Sequence, residues 1–372
     1  MRETGILTFH CADSYGAMLQ AYGLKRYLTG KGLKAHVIPY EPIFMTGRHW
    51  WIPYVPLGSP LKIVGWGLYK WKCNLREGRF FFVRRANMRS FRKRYLVEKG
   101  QKKMFFTYQL RRLPYQYYIV GSDQIWNPRV TCGLRAVYFG AFPNSKKTKV
   151  IAYAASLGSR SLPTEYEKEF SKLIKHVDAV SVRENAAVTC VSKFYPGEVL
   201  MVPDPVFLLK RKEWQRIEKL PDREGYIVVF ITEKNDELFE YAKELSKSRG
   251  LPVVEIGNGI DIAEKSFETV RTAGPQEFLG YIHKAGYVIT NSFHGTAFSI
   301  IFEKRFTVFG HSGAGERIHN ILQVCGLESR LYQKNNNAEI DEDIDWNRVE
   351  KRIEDSAKLG GEFLMKNLNA FD

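Results

Sequence analysis

Hydrophobic and polar positions alternate in blocks along this 372-residue chain. Short apolar runs read as buried strands. Each is followed by small or polar residues and then by a segment of helical period. The first run, Thr4 to Phe9, leads into the polar turn His10 to Ala17 and a helix from Met18 to Thr29. In that helix Leu19, Tyr22, Leu24 and Leu28 lie near helical spacing, and Gly30 and Gly32 stand just past its end. Ala35 to Pro39 completes a β-α-β start whose ligand-facing loop is Ser14, Tyr15 and Gly16. The loop is not GxGxxG, so dinucleotide binding is not expected there. Further strands are expected at Tyr117–Val120, Val150–Ala154 and Ala179–Val182. Pro203, Asp204 and Pro205, followed by Lys210, Arg211 and Lys212, read as a linker.

A second alternation then begins. Strands are expected at Tyr226–Ile231, Val253–Ile256, Tyr287–Thr290 and Arg305–Phe309. Helices are expected at Asn235–Ser248, Gln276–His283 with Pro275 in its first turn, Gly295–Phe302 and Ile318–Val324. Residues 335 to 345 read as an acidic loop, and Asp345 to Leu368 as a last helix. The pattern implies an α/β protein with two Rossmann-like domains facing a central cleft. The expected boundaries are 1–205 for an N-terminal domain on the acceptor side and 206–345 for a C-terminal domain on the donor side. The helix in 346–372 is expected to pack back on the first domain. Residues 43–112 break the alternation and read as an insertion in the first domain.

The strand ends carry the candidate chemistry, because ligands of such sheets bind beyond the carboxyl ends of the strands. Asp123 and Gln124 follow one strand, Arg183 another. Asn291, Ser292, His294 and Gly295 follow a third, where a helix N-terminus would face an anion. His294 is either placed to meet that anion or packs the turn. Asp123 is either a functional carboxylate or a turn residue bonding nearby N–H groups. The loop 310–315 is Gly-rich and could lie against a phosphate.

Charge changes the picture at one place. The chain carries a net +16, and between Leu61 and Lys103 there are fourteen Lys and Arg against two acids, Glu77 and Glu98. Trp66 and Trp71 are interleaved with these cations and Trp50 and Trp51 precede them in the same segment, which suits docking on an anionic membrane surface through 43–112. The alternative is that the aromatic residues fill a groove and the cations are solvated. No RNP motif, helix-turn-helix signature or zinc finger points to nucleic acid. No apolar run reaches the roughly 18 residues of a transmembrane helix. The N-terminus shows no signal-peptide pattern, and the five cysteines are scattered with no CxxC pair. Together these lead to the expectation of a cytoplasmic protein, peripheral on the inner face of the plasma membrane.

Taken together, the motifs resemble those of the polysaccharide pyruvyl transferase family. The matching stretches are Ser14 to Gln20, Gly121 to Pro128, Ala152 to Gly158, Ser181 to Glu184, Pro203 to Pro205 and Thr290 to Thr296. The family is similar in fold to GT-B glycosyltransferases, and its members move a pyruvyl group from phosphoenolpyruvate onto a sugar, usually as a ketal. The resemblance implies that His294 is the catalytic histidine. It also implies a second basic residue some twenty positions on, for which Arg317 is the candidate. Where the family's first motif more often begins with Asn, this chain has Ser14.

Phosphoenolpyruvate carries a carboxylate and a phosphate on one small frame. Arg317, Arg183, Asn291, Ser292 and the N–H groups at Gly295 are the donor-binding candidates. Ketal formation needs an acid and a base, roles given to His294 and Asp123. Ser14, Tyr15, Gly16 and Gln124 are the acceptor-binding candidates. The expected acceptor is a hexose such as galactose in a bacterial surface polysaccharide or its polyprenyl-diphosphate-linked precursor. No metal or other cofactor is expected beyond phosphoenolpyruvate as co-substrate. A GT-B glycosyltransferase using a nucleotide sugar is the alternative. A third reading, a non-enzymatic protein binding nucleic acid or anionic polysaccharide through the basic segment, leaves the polar strand ends unexplained.

Overall fold

The computed structural model describes residues 3–47, 50, 60–142, 148–257, 263–311, 315–334 and 342–369. Trp51, residues 312–314 of the Gly-rich loop and residues 335–341 of the acidic stretch lie outside the described residues. The chain divides into two compact units. One comprises Met1–Trp71, Arg92–Leu209 and Asp355–Asp372, and the other Lys72–Phe91 and Lys210–Glu354. The basic segment expected as one insertion, 43–112, is therefore shared out, with Lys72–Phe91 grouped in the second unit. The longest helices of this segment among the described residues are Pro60–Glu77 and Arg79–Phe91, joined at Gly78. Asn87 on the second of these donates to the Thr272 carbonyl at 2.8 Å.

The first unit holds a parallel sheet of β1 (Glu3–Leu7), β2 (Lys34–Val37), β3 (Tyr117–Gly121), β4 (Lys149–Ala155), β5 (Ala179–Val182) and β6 (Val199–Met201). Their spatial order is β2-β1-β3-β4-β5-β6. Strands β3, β4 and β5 are almost wholly buried, which explains their continuous apolar runs where a half-exposed strand would alternate. The helix Tyr15–Gly30 packs Met18, Leu19, Leu24 and Leu28 inward. Its Gly23 lies so close to the Pro205 carbonyl that a Cβ there would come within 2.7 Å of the oxygen. On another side Trp126, Phe139 and Phe170 pack ring against ring, with the Trp126 indole N–H donating to the Tyr138 carbonyl at 3.1 Å.

Two elements differ from the sequence expectation here. β6 was not anticipated, being only three residues long and partly exposed. The units change between Leu209 and Lys210, inside the stretch expected as a linker, but its Pro203–Pro205 part is buried in the first unit. Asp204 is 1% exposed, and its carboxylate accepts from Val206 N–H at 3.1 Å and from Ser122 Oγ at 3.2 Å, and pairs with Arg183. Two prolines read as a break, but they frame a buried anchor.

The second unit has its own parallel sheet of β7 (Ile227–Phe230), β8 (Val253–Ile256), β9 (Glu268–Val270), β10 (Tyr287–Thr290) and β11 (Phe306–Val308), in the order β11-β10-β7-β8-β9. Its helices include Asp236–Arg249, Pro275–Lys284, Phe293–Ile301 and Gly315–Cys325. Asn235 caps the first of these by accepting from Leu238 N–H at 2.9 Å, and Gly250 ends it in a left-handed conformation. The last helix, Trp346–Asn369, runs from one unit into the other's residue set. Its C-terminal part lies in the first unit, where Phe363 meets Tyr153 at 6.4 Å between ring centroids. All five cysteines are free and buried.

Candidate active site

In the second sheet the chain leaves β7 for β8 and β9, then crosses back to place β10 and β11 on the other side. The direction reverses between β7 and β10. Beyond the carboxyl ends of two such strands an open α/β sheet forms its ligand crevice. The residues emerging there are Thr232 and Glu233 after β7, and Asn291 to Gly295 after β10.

Asn291 ties these two strand ends together. Its side-chain oxygen accepts from Thr232 N–H at 2.9 Å, and its amide donates to the Glu233 carbonyl at 2.6 Å. Thr290 Oγ1 donates to the Phe230 carbonyl at 2.5 Å and accepts from Ser292 N–H at 3.0 Å. Ser292 takes the extended N-cap conformation, so the helix begins at Phe293, two residues earlier than the sequence suggested. His294 therefore sits in the first helical turn, where backbone N–H groups and the dipole favour negative charge. Gly295 is needed for packing. A Cβ there would overlap Thr290 Oγ1 and stand 3.1 Å from the Phe230 ring. Of the donor-binding candidates, Asn291 and Gly295 thus build the edge.

His294 is 9% exposed and Arg317 8% exposed. The Phe293 ring touches both side chains. Its centroid is 5.0 Å from that of the His294 imidazole, edge to face, and the Arg317 guanidinium carbon lies 5.9 Å from it. Arg317 falls in the first turn of its helix because that helix starts at Gly315, three residues before the expected Ile318.

Two further residues at this edge were not singled out from sequence. His311, three residues past β11, places Nδ1 3.7 Å from Oε2 of Glu233. Burial lowers the His311 pKa, Glu233 raises it and Arg317 lowers it, with a net downward shift. The signals were present: His311 stands in the Gly-rich loop, and Glu233 directly follows an apolar run. Neither position means much until β11 and β7 are known to flank β10.

The first unit gathers the other candidates at its own switch point, between β1 and β3. Ser14 is exposed at the N-cap of the helix Tyr15–Gly30 and makes no side-chain capping bond, while Tyr15 is 2% exposed and Gly16 is buried beside it. Asp13 accepts from Arg92 at 3.2 Å, and Arg92 also donates to the Cys11 carbonyl at 2.6 Å.

Past β3 the motif stretches are knitted to one another. Asp123 takes a left-handed backbone (φ 67°), which Asp tolerates, and its Oδ1 accepts from Gln124 N–H at 2.8 Å. Its carbonyl accepts from Ser156 N–H at 3.1 Å. Gln124 Oε1 accepts from the Asn127 amide at 2.5 Å, and a Cβ on Gly158 would overlap both of those side-chain ends. Ser156 donates to Glu184, and Arg183 Nε lies 3.8 Å from the same carboxylate. Arg183 is 5% exposed, between Asp204 and Glu184. The structure thus divides the donor candidates. Arg317, Asn291, Ser292 and Gly295 belong to the second unit, and Arg183 to the hydrogen-bond network of the first.

Two parallel sheets flanked by helices, each with polar residues at its switch point, define an α/β fold of the GT-B type. The fold is similar to that of UDP-N-acetylglucosamine 2-epimerase from Rickettsia bellii, with a TM-score of 0.55 at 12% identity over 100% of this chain and 96% of that one. It is also similar to S. aureus MnaA, solved with UDP, with a TM-score of 0.50 at 10% identity over 100% and 97%. No curated protein matches the chain in sequence. The model of the polysaccharide pyruvyl transferase family matches residues 15–313, and the chain belongs to that family. It is an enzyme of that type, acting in polysaccharide biosynthesis.

Proposed function

We propose that the protein transfers the pyruvyl group of phosphoenolpyruvate onto two hydroxyls of a hexose such as galactose, forming a ketal. The acceptor sugar belongs to a capsular or other surface polysaccharide, or to its polyprenyl-diphosphate-linked precursor. One observation carries this reading. An imidazole and a guanidinium, His294 and Arg317, are both nearly buried and share the ring of Phe293 at the β7/β10 switch point. A small trianion suits that pairing. The guanidinium and the helix N–H groups supply charge-assisted hydrogen bonds, while the imidazole moves a proton at neutral pH.

In this scheme His294 protonates C3 of the enol, turning CH2 into CH3 and leaving C2 electron-poor. A sugar hydroxyl adds to C2 and releases its proton to a base, the role proposed for Asp123. Phosphate departs with its bonding electron pair, and the second hydroxyl closes the ketal. No metal or further cofactor enters the scheme.

Calorimetric titration with phosphoenolpyruvate tests the donor. Removing one charge-assisted contact costs about 1.5–3 kcal/mol, so Arg317→Ala should weaken binding roughly tenfold to a hundredfold. Absence of binding to the wild type, with nucleotide sugars binding in its place, would overturn the reading.

We further propose that 43–112 docks on an anionic membrane. Among the described residues no helix is long and apolar enough to cross a membrane. The helix Pro60–Glu77 nonetheless exposes Val64, Trp66, Leu68 and Tyr69 beside Lys70 and Lys72. Trp66→Ala with Leu68→Ala should abolish flotation with phosphatidylglycerol vesicles. Unchanged flotation would remove this part of the proposal.

A further inference from the structure

The scheme above leaves the proton for the departing phosphate without a donor. When the bond between C2 and the phosphate oxygen breaks, that oxygen keeps the electron pair and needs a proton. His294 has already given its own to C3. The edge at the β7/β10 switch point holds a second imidazole that neither the sequence motifs nor the scheme has used.

β11 lies beside β10 in parallel register, and Phe309 N–H donates to the Thr290 carbonyl at 2.8 Å. His311 follows two residues later, so it leaves the sheet at the same end as His294, one strand over. Its side chain is 16% exposed. Glu233 reaches it from the far side of β10, with Oε2 3.7 Å from Nδ1. The Glu233 backbone is held in turn by the Asn291 amide. Three neighbouring strand ends therefore converge on one histidine–carboxylate pair. A carboxylate at one ring nitrogen orients the imidazole and favours its charged form, the arrangement of a proton donor.

The charged groups acting on His311 are Glu233, which favours its protonation, and Arg317, which opposes it. The other titratable groups on the flanking strand ends and first turns are His294, Lys234, Asp236, Glu237 and Glu316, of which Lys234 pairs with Asp236 at 2.7 Å. In the free protein, burial and Arg317 together outweigh Glu233 and keep the imidazole biased towards its neutral form. Burial is the larger of the two opposing causes, but an anion bound against Arg317 would offset the guanidinium and add negative charge beside His311, which favours the protonated form.

We propose that His311, oriented by Glu233, is the acid that protonates the departing phosphate. This rests on the reading of phosphoenolpyruvate as donor. As the C2–O bond breaks, the pair of electrons stays on the phosphate oxygen and the imidazolium proton moves to it. Phosphate leaves as its hydrogen-phosphate dianion and His311 returns to the neutral form. C2 is left electron-poor for the second hydroxyl, whose proton returns to His294, neutral since it protonated C3, while Asp123 holds the proton of the first.

The test needs no acceptor. Phosphoenolpyruvate is titrated into the full-length protein by calorimetry in several buffers of different ionisation enthalpy, across pH 6 to 8. The dependence of the heat on buffer counts the protons taken up per donor bound. Wild type should take up a proton on binding. His311→Asn should still bind but lose that uptake. Glu233→Gln, a change at a half-exposed surface position, should shift the pH midpoint of uptake downward, because it removes the group that favours protonation. His294→Ala should retain the His311-dependent uptake. Proton uptake unchanged in His311→Asn, or a midpoint unmoved in Glu233→Gln, would overturn the assignment. Failure of the wild type to bind phosphoenolpyruvate would instead overturn the donor reading on which it stands.

Discussion

Replacing Asp204 by alanine removes a carboxylate that does three things at once. It accepts from Ser122 Oγ at 3.2 Å, it accepts from Val206 N–H at 3.1 Å as the cap of a short 3-10 turn, and it neutralises Arg183. Asp204 and Arg183 are 1% and 5% exposed. Removing one partner of a buried ion pair costs about 3–5 kcal/mol, because the other charge is left in the interior. Loss of the cap adds about 1 kcal/mol. The terms share one carboxylate and are not additive, so the expected loss is about 4 kcal/mol. For a unit of this size that corresponds to roughly 8–16 °C in Tm. Urea and thermal unfolding of wild type and Asp204→Ala measure it directly. With Glu184→Gln added to remove the other buried carboxylate beside Arg183, the double variant Arg183→Met with Asp204→Leu should regain much of the loss, since no charge is then stranded. Two results would refute the reasoning: a loss below about 1 kcal/mol for Asp204→Ala, or that combined variant no more stable than the single one. Either would mean that the Pro203–Pro205 stretch is a connection after all, with its contacts incidental.

Gly295→Ala should cost about 1–3 kcal/mol, because its Cβ would overlap a Thr290 hydroxyl already fixed by bonds to Phe230 and Ser292. Chemical denaturation checks it, and a neutral outcome would show that the first helical turn can shift. His10 is fully buried, and burial lowers its pKa to about 4 against an ordinary 6.5. Between those values the unfolded chain holds a proton that the folded chain refuses, so this residue lowers stability as pH falls from 6.5 towards 4, by on the order of 3 kcal/mol in all. Burial pushes Glu255 the other way, up to about 7, so its contribution falls as pH rises from 4.5 to 7 and masks the slope in the wild type. The stability difference between His10→Asn and wild type isolates the first effect. It should move in favour of the variant as pH falls from 6.5 to 4, and a difference independent of pH would show that His10 titrates normally in the fold.

The sequence by itself determined what is local. Buried strands such as Ala179–Val182 and Val253–Ile256 were legible because four-residue apolar runs between helical segments have few other uses. The candidate edge after β10 was legible too, because a polar turn between an apolar strand and a helix marks a strand's carboxyl end. Short β6 and β9 were not, since both are partly exposed and β9 carries no continuous apolar run, whereas the equally short β11 is wholly buried.

What the tertiary structure decided is which distant residues share a hydrogen bond. Asp204 and Ser122 are 82 positions apart, and Asn291 lies 58 from Glu233. Their partnership depends on strand order, in which β10 is inserted between β11 and β7. Strand order is set by how helices cover the two faces of each sheet, a property of the whole unit. Hence Arg183, which from sequence suited an anion equally well, proves to be held by Asp204 within its own unit. His311, one polar residue among several in a Gly-rich loop, proves to lie beside Glu233 at the edge where His294 emerges.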